Sequence, residues 1–219
     1  MSNQNRLGLL LDVETTGLSP YKDEIIELAC ILFSYRHDTG EIFEVVSQDS
    51  FLREPLSESA KQNYQSAFRI HGIPYQMVKG KTFNDIKIQD YFQQSNSIFA
   101  HNASFDRSFL NRLYPESNEL NWYCTMRNIP WKQYGYSNSK LITLLSAHHI
   151  TKHQTHRAMD DITYLLELLK QHTPAGYPYL RDAISKKPMQ KYASTYQQQS
   201  RKKYLRNIQD ESKAGKESS

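Results

Sequence analysis

Apolar and polar residues change their spacing along the chain, from strand-like near the start to helical later. Leu7 to Val13 is a short apolar run broken only by Gly8 and Asp12, and it predicts a buried strand. Ile25 to Tyr35 is rich in β-formers, and Glu41 to Leu52 alternates apolar and polar residues before Pro55. Asp38-Thr39-Gly40 between them is a turn signal, so these two segments are expected to pair as a hairpin and, with the first, as an antiparallel meander. Helical composition begins around Ser57 to Tyr64. Thr82-Phe83-Asn84-Asp85 reads as a capping box opening a helix through Gln94. Ser97 to Ala100 is a brief strand, Ser104 to Leu113 a helix with Phe105, Phe109 and Leu113 on one side, and Asn121 to Cys124 a further strand. Lys140 to His149 carries Leu141, Leu144 and Leu145 at helical spacing. Arg157 to Gln171 is the clearest amphipathic helix, with Ala158, Ile162, Leu165, Leu166 and Leu169 as its apolar stripe. Strands first, then strands alternating with helices, predict an α/β protein with a mixed sheet flanked by helices.

After Pro174-Ala175-Gly176 the aliphatic residues thin out and Tyr, Gln, Ser and Lys take over. Residues 1–175 therefore read as one domain. Residues 176–219 read as a basic tail, mobile or dependent on a partner, with a helix expected near Ala193 to Ile208. Charge follows the same division: residues 1–175 hold 17 Lys and Arg against 19 Asp and Glu, and residues 176–219 hold 10 against 4. A slightly acidic body with a basic end points to a polyanion partner. No apolar run approaches the ~18–20 residues that cross a bilayer, and the apolar stretch after the polar start is too short for a signal peptide. With only Cys30 and Cys124, a reducing cytoplasmic setting is expected. Membrane proteins, secreted disulfide scaffolds and repeat arrays are excluded.

Three short segments carry candidate chemistry. Asp12 and Glu14 lie two residues apart at the end of the first strand, so their carboxylates share one face of the sheet. Such a pair repels itself unless a cation lies between, and oxygen-seeking Mg²⁺ or Mn²⁺ fits. A lone D-x-E is more often a solvated strand end, but the Thr15-Thr16-Gly17 turn after it offers backbone N–H groups to a ligand. The second segment, His101-Asn102-Ala103-Ser104-Phe105-Asp106, follows the strand Ser97 to Ala100, at the strand end where α/β sheets bind ligands. Asp106 falls in the first turn of the helix that opens there. In the third, His156-Arg157-Ala158-Met159-Asp160-Asp161, His156 stands at the helix entrance and Asp161 about one turn in. A histidine titrating near neutrality suits a proton acceptor. His148, His149 and His153 lie close together without a cysteine pair and are not read as a zinc site.

In this order and spacing D-V-E-T-T-G-L, H-N-A-S-F-D and H-R-A-M-D-D resemble the DEDDh (DnaQ-like) family of 3′→5′ exonucleases, the group that includes the proofreading subunit of bacterial replicative polymerases. Ile70-His71-Gly72-Ile73 also resembles the segment this family carries between its first two motifs. The resemblance covers Leu7 to Gln171. It implies a ribonuclease-H-like fold, a five-stranded mixed sheet with three antiparallel and two parallel strands. It also implies that Asp12, Glu14, Asp106 and Asp161 bind two divalent cations, Mg²⁺ or Mn²⁺, with His156 as general base. Thr15 would contact the terminal 3′-hydroxyl and Leu18 and Phe105 the terminal bases or sugars, with His71 and Asn102 in the same cleft. The expected substrate is a single-stranded or frayed DNA 3′ end, with RNA or short oligonucleotides as the alternative on the same site. The reading from another class is a polymerase-associated binding module with a vestigial nuclease. A DNA polymerase is the expected protein partner.

Overall fold

Alternation along the first strand decides the architecture. A computed structural model describes residues 5–193 of the chain. In β1 (Asn5–Thr15), Leu9, Leu11 and Val13 point to one face of the sheet, and Gly8, Leu10, Asp12 and Glu14 to the other. β1 pairs antiparallel with β2 (Ile25–Arg36), and β2 antiparallel with β3 (Ile42–Leu52). On its other side β1 pairs in parallel with β4 (Ser97–Ala100), which in turn pairs in parallel with β5 (Asn121–Cys124). The order β3-β2-β1-β4-β5 and these directions match the expected ribonuclease-H-like sheet.

Helices cover both faces. After the meander come α1 (Glu58–His71), the single turn α2 (Tyr75–Val78) and α3 (Asp85–Gln94). α4 (Ala103–Leu113) follows β4, and a 3-10 turn (Pro115–Glu119) leads into β5. The remaining helices are α5 (Thr125–Asn128), α6 (Leu141–Ala147), α7 (Ala158–Lys170) and α8 (Tyr179–Ser185). α3 and α4 pack on the Leu9/Leu11/Val13 face together with Trp122. α6, α7 and α8 pack on the Leu10 face with Phe33, Phe99 and Tyr123, and the α7 stripe expected from the sequence is buried there. Gly8 is required by this second layer: a Cβ would lie 2.7 Å from the Phe33 ring and 2.9 Å from that of Phe99. No helix among the described residues is long and apolar enough to cross a membrane.

Two expectations are corrected. The N-cap of α3 is Asn84, whose side chain accepts the Lys87 N–H at 3.1 Å, two residues later than a Thr82 cap would place it. Asn caps as well as Thr, and capping at Asn84 buries Phe83 against Ile88 in the same core cluster, a hydrophobic staple. The packed body also runs past residue 175. Tyr179, Leu180, Ala183 and Ile184 of α8 are buried, and the hairpin turn at Gly40 rests on Arg181, 2.4 Å from the position a Cβ would take. Residues 186–193 continue across α4 and β5: Met189 N–H donates to the Trp122 carbonyl at 2.8 Å, and Arg107 donates to the Gln190 carbonyl at 2.9 Å. The helix expected near residues 193–208 falls, but for Ala193, outside the described residues.

Because Leu180 is fully buried in the cluster under α7, Leu180→Ala should destabilise the fold by about 2–5 kcal/mol in urea unfolding. An unchanged midpoint would exclude α8 from the core.

Candidate active site

Strand geometry delivers the first two acids. Asp12 and Glu14 continue the Leu10 column of β1 to the end of the sheet, facing the side on which α7 lies. The β1–β2 register shifts between Glu14 and Thr15, and the chain then turns through Thr16 and Gly17. That turn is fastened from below: Asp23 accepts the Ser19 N–H at 2.9 Å and the Asn63 amide at 2.8 Å, and a Cβ on Gly17 would come within 2.6 Å of the Asp23 carboxyl.

Two helices deliver the others. Asp106, in the first turn of α4, is 1% exposed and lies against the Asp12 side chain and the Val13 backbone. Asp161 comes from the first turns of α7, held by the Gln154 amide at 2.6 Å. Carboxylate oxygens of Asp12, Glu14 and Asp161 all lie within 4.8 Å of one another, and Asp106 joins them through its hydrogen bond with Asp12. His156 precedes α7 with φ 51 and is exposed, close enough for its charge to act on Asp161.

Burial pushes all four carboxyls upward, and the charge of neighbouring site acids adds to it at Asp12 and Glu14. Asp12 is raised well above the usual carboxylate range, first by desolvation and then by Asp106, Glu14 and Asp161. Glu14 is pushed up to about 9 by desolvation, Asp161 and Glu27, partly offset by Arg157. Asp106 rises to about 7 through desolvation, and Asp161 rises for the same reason against the pull of Gln154 and His156. One oxygen of Asp106 and one of Asp161 are buried without a hydrogen-bond partner. Clustered oxygens with unfilled lone pairs are the donor set a hard divalent cation takes. The residues therefore fit such an ion.

A cleft of about 440 Å³ opens beside the acids, lined by Glu14, Thr15, Leu18, Asn63, Ile70, His71 and Phe105 among others. Four of the five substrate-contact candidates thus meet there. Leu18 is 82% exposed at its rim, as an apolar contact for a ligand should be and a core leucine is not. His71 is buried; its Nδ1 accepts the Ile73 N–H at 2.9 Å, which puts the ring proton on Nε2, an atom with no partner in the protein. Burial lowers His71 to about 4, so the ring is neutral, with its Nε2–H buried and unanswered beside the cleft that His71 helps to line. Asn102 is not among the lining residues: it is the exposed, left-handed (φ 73) residue that turns the chain from β4 into α4. Its side chain makes no cap hydrogen bond, and α4, which carries Asp106 in its first turn, starts directly after it.

Sequence reasoning overlooked Glu27, Asp23 and Asn63. Glu27, fully buried on β2 directly opposite Glu14, is the acid in an otherwise apolar segment from Ile25 to Leu32, and that oddity was its signal. Asp23 and Asn63 gave none, since their meeting depends on how α1 folds back. His148, one of three clustered histidines, is committed elsewhere, bonded to the Tyr136 hydroxyl at 2.6 Å.

The Exonuclease family model matches residues 9–169. Among curated proteins, the chain is 32% identical over 158 residues to the DNA polymerase III PolC-type of Listeria monocytogenes, covering 69% of this chain and 10% of that protein. It is 30% identical over 185 residues to the corresponding Bacillus subtilis protein, covering 78% and 12%. Among solved structures, the zinc-bound complex of Escherichia coli exonuclease I with single-stranded DNA superposes with a TM-score of 0.59 at 18% identity, covering 75% of this chain and 40% of that one. The chain thus spans about a tenth of the length of the polymerase relatives and two-fifths of exonuclease I. The matched stretch contains the four converging carboxylates and His156, and the chain belongs to the exonuclease family.

Proposed function

We propose that this chain is a divalent-cation-dependent 3′→5′ exonuclease that releases nucleoside 5′-monophosphates from single-stranded or frayed DNA 3′ ends. The observation that carries the reading is the convergence of Asp12, Glu14, Asp106 and Asp161 from β1, α4 and α7 at one end of the sheet, beside an open cleft. These four would hold two cations, Mg²⁺ or Mn²⁺. When bound, such cations ease ionisation of the attacking water and offset charge growing on the phosphate and the leaving oxygen.

The chain's own residues supply the rest. His156, exposed and close to Asp161, takes the proton from the attacking water. A new P–O bond forms to that water as the bond to the penultimate nucleotide's 3′-oxygen breaks, freeing the terminal nucleotide as its 5′-monophosphate. The neutral His71 offers Nε2–H to an oxygen of the terminal nucleotide, the Thr15 backbone offers a contact for its 3′-hydroxyl, and Leu18 and Phe105 present apolar surface to its base and sugar. A stack of this kind reads no base edge, which suits a sequence-indifferent enzyme. Relatives named as a DNA polymerase, and a structural neighbour bound to single-stranded DNA, support DNA over RNA and make a polymerase the protein partner to test first.

Digestion of 5′-labelled single-stranded DNA, paired duplex, mismatched duplex and RNA with Mg²⁺ or Mn²⁺ should shorten the single strand fastest from its 3′ end. Asp12→Ala should abolish release with folding intact, and His156→Ala should lower it ~10²–10⁴-fold. Full activity of Asp12→Ala would move the chemistry elsewhere, and faster digestion of RNA would change the substrate.

The same charges set a pH dependence of stability. Glu14 at about 9 and Asp106 at about 7 in the folded chain both lie above their unfolded values, as do Asp12 and Asp161. Stability from such groups is complete below the unfolded pKa and is lost as pH rises through the folded one. His71 and His101, both lowered to about 4 by burial, act oppositely between pH about 4 and 6.5 and are silent above it. With a chelator present, the melting temperature should therefore fall between pH 7 and 9, and Mn²⁺ should reverse that fall. A melting temperature flat across this range in chelator would show that burial and neighbouring charge do not oppose ionisation of these carboxyls.

A further inference from the structure

Glu27 takes no part in the chemistry above, yet both of its oxygens are fully engaged. Oε1 accepts from Arg157 Nη2 at 2.8 Å and from the Ser50 hydroxyl at 3.0 Å. Oε2 accepts from Arg157 Nε at 3.1 Å and from the Ala158 backbone N–H at 3.1 Å. Four donors use the four lone-pair directions of a carboxylate, so no electron pair remains for a cation. Although Glu27 stands opposite Glu14, it is not a fifth metal ligand.

What Glu27 grips lies immediately beside His156. Arg157 follows His156 in the chain and is the N-cap residue of α7, and it supplies no side-chain cap of its own. Glu27 provides the missing cap from another strand, accepting the first N–H of the helix and placing negative charge at the positive end of its dipole. The paired bonds from Nε and Nη2 fix the guanidinium plane as well as its position. His156, by contrast, is exposed, left-handed at φ 51, and its ring makes no hydrogen bond among the described residues. His156 is thus carried between two anchored neighbours: Thr155, whose hydroxyl donates to Asp160 at 2.8 Å, and Arg157, whose guanidinium is gripped at two points by Glu27.

We infer that Glu27 is a positioning residue: by clamping Arg157 and the first N–H of α7 to β2, it sets where the His156 imidazole stands above the acid cluster. This rests on the reading of His156 as proton acceptor, and the test separates the two.

Wild type, Glu27→Gln, His156→Ala and the double variant are compared on a 5′-labelled single-stranded oligonucleotide with Mn²⁺, at a temperature where each gives the wild-type circular dichroism spectrum. Glutamine keeps the size but sets an NH₂ group against the guanidinium or the helix N–H. Glu27→Gln should lower kcat on the order of 10²-fold, the scale of a small misplacement of a reacting group, with KM for the oligonucleotide unchanged. In the His156→Ala background the same substitution should have almost no further effect, because the group it positions is gone. Arg157→Lys, which keeps the charge but loses the two-point grip, should lower kcat by a smaller factor with the same dependence on His156, and it carries the test if Glu27→Gln does not fold. Wild-type kcat for Glu27→Gln beside a slow His156→Ala would overturn the inference while leaving the proton acceptor in place. An equal loss with and without His156 would also overturn it, tracing the effect to the fold or the acid cluster. His156→Ala as active as wild type would remove the proton acceptor and this inference together.

Discussion

Four carboxyl groups that repel one another sit at the end of one sheet, and much of the surrounding architecture keeps them there. β1 can aim Asp12 and Glu14 the same way only because strand side chains alternate. It can present them to α7 only because that face of the sheet is filled by Leu10, Ile31, Phe33 and Phe99. Helix α4, packed on the opposite face, reaches round the strand end to add Asp106. The hydrophobic layers hold together what electrostatics would drive apart, and the strain is confined to the place where ligand charge can relieve it.

Hydrogen-bond saturation separates these acids from their neighbours. Glu24 accepts from the backbone N–H groups of Leu56 and Ser57 and from Arg53, Asp23 from Ser19 and Asn63, and Glu27 from four donors. All three are buried, as Asp106 and Asp161 are, but their charge is already answered by the protein. Asp106 and Asp161 each keep an unpartnered buried oxygen. Burial alone would rank these residues together; the distribution of donors divides them into acids that shape the fold and acids left open to a ligand. Buried ion pairs such as Glu27–Arg157 add little stability by themselves, and what they provide is a fixed geometry.

Most of the sheet was legible because its strands carry period-two or continuous apolar patterns, and β4 and β5 begin and end where the sequence placed them. Single-turn helices such as α2 and α5 are too short to show a period. α8 was readable in principle, since Tyr179, Leu180, Ala183 and Ile184 follow helical spacing, but a two-turn stripe among Lys and Tyr carries little weight beside the composition around it. At the site, Asp12, Glu14, Asp106, Asp161 and His156 declared themselves by motif. Asn102 stands in a left-handed backbone between β4 and α4, outside the residues that line the cleft. Asp23 and Asn63 were hidden because their contact spans 40 residues and follows from tertiary folding.

The strap of residues 186–193 alters how the sheet can meet other chains. With Met189 bonded to the Trp122 carbonyl and Tyr192 held by Asn118, the backbone flank of β5 is shielded by the protein's own polypeptide. The opposite flank, β3, is an 11-residue strand with Phe43, Val45 and Val46 turned to solvent. Strand-to-strand association, whether orderly or aggregating, is therefore directional in this molecule: it can be seeded along β3, whereas along β5 it must first peel away the strap.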